Sequence, residues 1–327
     1  LSKTPIKHAA ATLRPLNPVH VLRCILEGEP GGINRAHTLS SLGSEKSFGF
    51  SPIEVSRAGA SLRGQGCAWV WCEGRRVRGL VAARQRSRRQ SWEVTHIFLD
   101  AHAENQVHRL LDQVSRVAAS NGGERIFFRV RRDDPLADMC RQSGFFPCVH
   151  EVLYKGVPPP RVKGDRRREG LEPPLLRKLK PRSDDFGVFR LYNAATPSDV
   201  RQATGMTFDQ WAASRETGRG KRQEFVLEDE GAVRGWLRNV RTSSVGKMAV
   251  MVHPANEAST AAILDFGLDR LRGTRVVYCL VPEYQVKLQR ALTDRGFTPE
   301  ADYVSLAKST VVRVKEGTTA RAPVAWS

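Results

Sequence analysis

Glu93 and His96 stand three residues apart in SWEVTHIFL (91–99), a run otherwise rich in strand-forming residues. A carboxylate and an imidazole are well suited to take up a proton near neutral pH, so this pair is the first place where the sequence could do chemistry. Alternation along a strand predicts that the two side chains face opposite sides of the sheet, and each also reads as an ordinary polar residue at a sheet edge. Cys24, Cys67, Cys72, Cys140, Cys148 and Cys279 fall mostly inside apolar runs and include no C-x-x-C pair. That pattern speaks against a metal or redox site and for buried, reduced thiols. His253, just past the apolar run GKMAVMV (246–252), reads as a loop histidine.

The elements that must position these residues come in an order that occurs twice. GCAWVWCEGRRVRGLVAARQR (66–86) reads as a hairpin turning at Glu73-Gly74, with SWEVTHIFLD as a third strand beside it. Residues 104–120 place Val107, Leu110, Leu111, Val114, Val117 and Ala118 at helical spacing on one face. ERIFFRV (124–130) is a buried strand, 135–142 a short helix after an aspartate cap, and CVHEVLY (148–154) a closing strand. In the second half EFVLEDEGAVRGWLRNV (224–240) is a hairpin turning at Glu230-Gly231, and GKMAVMV is its third strand. A helix over about 256–271, the strand TRVVYCLV (274–281), a helix over about 284–294 and the strand DYVSLAKSTVVRV (302–314) follow. Val77-Arg78-Gly79 matches Val233-Arg234-Gly235 at an offset of 156, and Gly144-Phe145 matches Gly296-Phe297 at an offset of 152. An internal duplication accounts for both.

Between the halves, residues 155–182 hold six prolines, ten basic and three acidic residues, the composition of a linker. The expected organisation is a first domain over 1–156, a Pro/Arg-rich linker over 157–182 and a second domain over 183–327. At 327 residues the chain can bury two cores, and 40% apolar with 26% charged residues is a soluble globular composition. No apolar run is long enough to span a bilayer and the first residues do not read as a secretory signal, so a cytoplasmic protein is expected. The net charge of +18 favours an anionic partner: nucleic acid, an acidic protein or a phosphate-bearing cofactor. Of the 52 basic residues 40 are arginine, which a GC-rich coding bias would also produce. Trp69 and Trp71 share a strand face, with Trp92 on a neighbouring strand, and packing against helices is the expected use of all three over a base-stacking platform.

The hairpin E-G-x-x-V-x-G, third strand, amphipathic helix, strand, short helix and Gly-Phe together resemble the GNAT superfamily, the Gcn5-related N-acetyltransferases. The resemblance covers both halves and implies an α/β (α+β) fold of two tandem GNAT-like domains, each a mixed, mainly antiparallel central sheet flanked by helices. It implies an acyl-CoA-dependent N-acyltransferase that moves an acetyl group from acetyl-CoA, or another acyl-CoA, to an amine, with no metal. The acyl-CoA is expected in the cleft where the fourth and fifth strands splay apart, its pyrophosphate at the N-terminus of the following helix. The family pattern there, R/Q-x-x-G-x-G/A, is degenerate in both halves. His102-Ala103-Glu104-Asn105-Gln106-Val107 has no glycine, whereas the second half, with Val252 ending its third strand and then Ala258, Ser259, Thr260, Ala261 and Ala262, offers small residues. The cofactor is therefore expected in the second half. The family tyrosine that protonates the departing thiolate corresponds to Cys140 in the first half and Leu292 in the second. Glu93 and His96 are the base candidates and Cys140 the proton-donor candidate. The alternative is a non-catalytic tandem scaffold whose basic surface binds nucleic acid or an acidic protein.

Overall fold

The computed structural model describes residues 11–28, 30–43, 51–59, 64–159, 176–216 and 220–310, so most of the expected linker lies outside the described residues. The first half supplies β1 (Ala11–Pro15), β2 (Gly66–Glu73), β3 (Arg76–Gln85), β4 (Ser91–Leu99), β5 (Arg125–Arg131) and β6 (Phe146–Gly156). The second supplies β7 (Leu176–Lys178), β8 (Lys221–Asp229), β9 (Ala232–Arg241), β10 (Val245–Val252), β11 (Val276–Pro282) and β12 (Thr298–Ser309). The helices are α1 (Pro18–Glu27), α2 (Pro52–Gly59), α3 (Val107–Ser120), α4 (Leu136–Gln142), α5 (Asp185–Ala195), α6 (Ser198–Thr204), α7 (Phe208–Ser214), α8 (Thr260–Arg270) and α9 (Val286–Thr293). Strand β7 lies inside the stretch read as linker; Leu179 just after it is buried, which anchors β7 along β8 at the sheet edge.

The strands form one continuous, mixed sheet in the order β1-β2-β3-β4-β5-β12-β6-β11-β10-β9-β8-β7. Each half's closing strand therefore lies in the other half's run of strands. Strand β12 pairs antiparallel with β5, β6 pairs antiparallel with β11, and β6 and β12 pair with each other at the centre. Helices α3 and α4 cover one face of the sheet over the first half, packing Val107, Leu110, Leu111 and Val114 against β4, β5 and Val304 and Leu306 of β12. Helices α8 and α9 cover the second half through Ile263, Leu264, Leu288 and Leu292, against β10, β11 and Tyr154 of β6. On the opposite face α1 and α2 pack over the first half, and α5 and α7 over the second. Among the described residues no helix is long and apolar enough to cross a membrane.

The repeated sequence marks have structural explanations. At Gly79 and Gly235 a Cβ would meet Leu110 at 3.2 Å and Ile263 at 2.8 Å, so these positions let α3 and α8 lie close over their sheets. Gly144 and Gly296 end α4 and α9 at φ of 78° and 77°. The following amides close the same helix-stop motif: Phe145 donates to the Cys140 carbonyl and Phe297 to the Leu292 carbonyl, each at 3.1 Å. Both phenylalanine rings are then buried, at 0% and 1% exposure. Gly144→Ala and Gly296→Ala should each destabilise the protein by about 1 kcal/mol through the left-handed backbone alone, measured by urea titration.

Candidate functional site

In each half two parallel strands begin side by side and then part. Strands β4 and β5 are paired only at Ser91–Arg125, Trp92–Ile126 and Glu93–Phe127, and β10 and β11 only from Val245–Val276 to Met248–Cys279. Beyond those rungs each pair leaves facing backbone edges apart, and this cleft is where the fold can admit an extended ligand.

The two clefts differ in what they hold. In the first, the chain itself fills the gap. The Asn34 side-chain carbonyl accepts from the Ile97 amide at 2.9 Å, and its amide nitrogen donates to the Thr95 carbonyl at 3.2 Å. The Arg35 amide donates to the Ile97 carbonyl at 3.0 Å, and the His37 amide donates to the Arg129 carbonyl of β5 at 2.9 Å. Segment 34–37 thus bridges β4 to β5 as a short pseudo-strand. The Arg35 guanidinium reaches on to Asp134, before α4, and at 3.0 Å to Glu104, in the single turn that leads into α3. The turn into α3, where the resemblance would place a phosphate, therefore carries a carboxylate, Glu104, already joined to an internal cation. Every residue of β4 is buried.

In the second cleft no hydrogen bond among the described residues crosses between the parted segments Ala249–Val252 and Leu280–Pro282. Strand β10 is correspondingly only partly buried at Ala249, Met251 and Val252. A turn of 3₁₀ helix, Pro254–Ser259, follows it, and α8 starts at Thr260. The helix expected from about residue 256 begins four residues later because Pro254 and the His253 side chain, which accepts from the Ala255 amide at 3.1 Å, hold the tighter turn. Ser259 makes no side-chain hydrogen bond to the first turn of α8, while the Thr260 amide donates to the Glu257 carbonyl of the preceding turn. Ala258 and Ala261 are exposed, Val252, Ser259 and Ala262 half-buried, and the Thr260 side chain is buried. Of the six expected cofactor residues, Val252 ends β10, Ala258 and Ser259 end the 3₁₀ turn, and Thr260, Ala261 and Ala262 begin α8. Glu257, the one carboxylate in that turn, forms an ion pair with Lys287 of α9.

The three residues singled out for proton transfer lie elsewhere. A bulge at Thr95 lets Ala82 oppose His96 while Ala83 opposes Val94. The alternation slips by one there, so Trp92, Val94, Ile97 and Leu99 all face α3, and Glu93 and His96 share the opposite face instead of dividing between the two. Glu93 is held by Arg84 at 2.8 Å and Arg86 at 3.3 Å. The ring of His96 lies beside the Thr95 hydroxyl at 3.0 Å and is buried. Cys140 is 0% exposed in the core beneath α4, and burial, reinforced by Asp134, pushes its thiol far above the ordinary range. Trp71 and Trp92 are core residues on the α3 face, with Trp69 packed against them.

Tyr284 and Thr196 were not singled out by the sequence. Tyr284 lies two residues beyond β11, at the end of the second cleft. Burial pushes its phenol up to about 12, although a hydrogen bond with the Thr196 hydroxyl works the other way. Thr196 caps the C-terminus of α5 and is buried. The phenol is thus uncharged at every physiological pH. Burial and nearby Arg234 lower the pKa of His253; Arg234 lies 3.4 Å from one ring nitrogen while the other accepts from the Ala255 amide, so the imidazole is part of the turn.

No protein-family model and no curated protein sequence matches the chain. Solved structures do. A GCN5-related N-acetyltransferase from Sphaerobacter thermophilus aligns over 91% of this chain and 95% of its own, at 17% identity and a TM-score of 0.55. A tandem GNAT protein from the clavulanic acid biosynthesis pathway (15% identity, 92% and 98% covered, TM-score 0.47) and a putative acetyltransferase from Pyrococcus horikoshii (13%, 96% and 95%, 0.48) are similar more loosely. The chain has the fold of the GNAT acetyltransferases, laid out in tandem along one sheet.

Proposed function

We propose that the protein is an acyl-CoA-dependent N-acyltransferase with a single cofactor site, in the second half. The observation that carries this reading is the contrast between the clefts: β4 and β5 are bridged by residues 34–37, while no hydrogen bond among the described residues links β10 and β11 where they part. The fold supports the reaction class, since the Sphaerobacter structure is that of an N-acetyltransferase. The residues present fit the cofactor. The edge of Ala249–Val252 offers backbone donors and acceptors to an amide-bearing arm, and the turn Ala258–Ala262 lets a diphosphate approach the start of α8 with its one carboxylate neutralised by Lys287.

An acyl-CoA would supply the activated acyl group to an amine. The chain's own contribution is to orient and to manage protons. Tyr284, protonated well beyond neutral pH, can donate a hydrogen bond where charge develops at the end of the cleft, a task that Cys140 and Leu292 cannot perform from within their cores. Glu93 and His96 lie in the first half beside the bridged cleft, so neither serves the second as a base. Acetyl, the particular acyl chain with which this reading starts, and cytoplasmic location belong to the proposal.

Calorimetric titration of the full chain with acetyl-CoA and with free CoA should give one binding event per chain. Ala261→Asp, which places a carboxylate at the open turn, should weaken it by tenfold or more, in line with about 1.4 kcal/mol per decade. No heat at millimolar ligand would leave the tandem fold as a non-catalytic basic scaffold, and two equivalents would contradict the assignment of the first cleft.

A further inference from the structure

The segment that fills the first cleft does not stop there. Past His37 it crosses to the second half, where its backbone and side chains grip the last paired rungs of β10 and β11. The Lys247 ammonium of β10 donates to the Leu39 and Ser40 carbonyls, both at 2.7 Å. Burial lowers its pKa to about 8, with Glu216 opposing the shift. The Leu39 amide donates to Glu216 at 3.1 Å. Leu42 packs with Tyr278 of β11, and Gly43 lies so close to the Tyr278 ring that a Cβ there would stand 2.3 Å from it. Lys247 and Tyr278 are partners in the β10–β11 register, one rung before the last pair, Met248 and Cys279. The cleft opens immediately beyond.

We infer that segment 34–43 is a brace: with Asn34 and Arg35 locked into the first cleft, Leu39, Ser40, Leu42 and Gly43 fix the separation and twist of β10 and β11 and so set the shape of the second cleft for acyl-CoA. The first half's cleft serves the second half by being filled. Lys247 and Tyr278 act as positioning residues, since they contact the brace on the face opposite α8. This inference rests on the reading that the second cleft holds acyl-CoA.

Two features make the brace rigid enough for the task. At its first end four hydrogen bonds between Asn34, Arg35 and His37 and strands β4 and β5, and the ion pairs of Arg35, hold it against the fully buried β4 and the buried middle of β5. At its other end the half-buried Lys247 ammonium is held by the Leu39 and Ser40 carbonyls, with Glu216 nearby.

The experiment measures CoA affinity by calorimetry, and amide hydrogen exchange by mass spectrometry, on the full chain and three variants. Gly43→Ala, which forces the ring of Tyr278 aside, and Lys247→Met, which releases Leu39 and Ser40, should each weaken CoA binding about tenfold, within the usual range of coupling between sites. By reciprocity, CoA binding should slow exchange in peptides covering Arg35 and His37 in the wild type, and this protection should vanish in Lys247→Met. Val55→Ala, a core truncation under α2 away from the brace, should lower thermal stability without changing affinity. Wild-type affinity in both Gly43→Ala and Lys247→Met, or an equal loss in Val55→Ala, would overturn the brace. Absence of CoA binding to the wild type would instead remove the cofactor reading on which it rests.

Discussion

Residues 11–159 and 176–310, produced as separate chains, should each fail to reach a stable fold, and should recover it when produced together. The expectation follows from the exchange of closing strands. Without β12, strand β5 has no neighbour on that side, and the core beneath α3 and α4 loses Val304 and Leu306, exposed by 4% and 0% in the intact chain. Without β6, β11 loses its neighbour and the core beneath α8 and α9 loses Tyr154. Each half could recover only by folding its own closing strand back. The 152-residue offset between the two Gly-Phe sites pairs Val152 with Val304, Tyr154 with Leu306 and Gly156 with Lys308. Phe297 packs against Gly156 so closely that a Cβ there would lie 2.5 Å from its ring, so β12 with Lys308 cannot take that place. Phe145 instead has the Lys308 ammonium 5.7 Å from its ring centre. In the first half Tyr154 would be forced into a space built for Leu306, an overpacking that costs about 1–3 kcal/mol. Circular dichroism and size-exclusion chromatography of the single and paired fragments provide the check; cooperative unfolding of either fragment alone would show that the exchange is dispensable.

How much of this was legible in the sequence depends on the range of the interaction. Element order, the hairpins and the buried face of α3 are local patterns, and Val107, Leu110, Leu111, Val114 and Ala118 are all buried as their spacing implies. The duplication was visible in two pairs of glycine sites, both of which prove to be backbone devices. Strand pairing between halves is not local: nothing in CVHEVLY states which neighbour it will take, and the partners are distinguished by fits such as that of Gly156 to Phe297 that appear only in the fold. The orientation of Glu93 and His96 was misread because a bulge leaves no mark in composition. The filling of the first cleft had a faint signal in GGINRAH (31–37), a polar stretch after paired glycines, but its significance depends on meeting β4 some sixty residues later.

Replacing Arg129 with methionine should be among the most damaging single substitutions, costing about 3–5 kcal/mol, the usual effect of stripping one partner from a buried ion group. Arg129 is 6% exposed on β5, on the face opposite α3. It donates to Glu151 of β6 at 2.8 Å and to Glu216, beyond α7, at 2.6 Å. Glu151 also accepts from the Ser305 hydroxyl of β12 at 2.6 Å, and Glu216 faces Arg86 at 3.6 Å. The network thus joins β5, β6, β12 and the segment before β8 at the centre of the sheet, where the charges are stabilised by one another and by hydrogen bonds from the Ser305 hydroxyl and the Leu39 amide. Burial alone would raise the Glu216 carboxyl, but Arg129 and Arg86 outweigh it and hold the group far below its ordinary value. A depressed carboxylate contributes its stability above its unfolded pKa, near 4.5, and loses it as the pH falls from there toward the folded value. Wild-type stability measured in urea should therefore drop steeply below about pH 4.5, and Glu216→Gln should flatten that drop while lowering stability at pH 7. An acid profile unchanged in Glu216→Gln, or an Arg129→Met protein within about 1 kcal/mol of wild type, would mean that the apolar packing of β5, β6 and β12 holds the centre of the sheet without the ions.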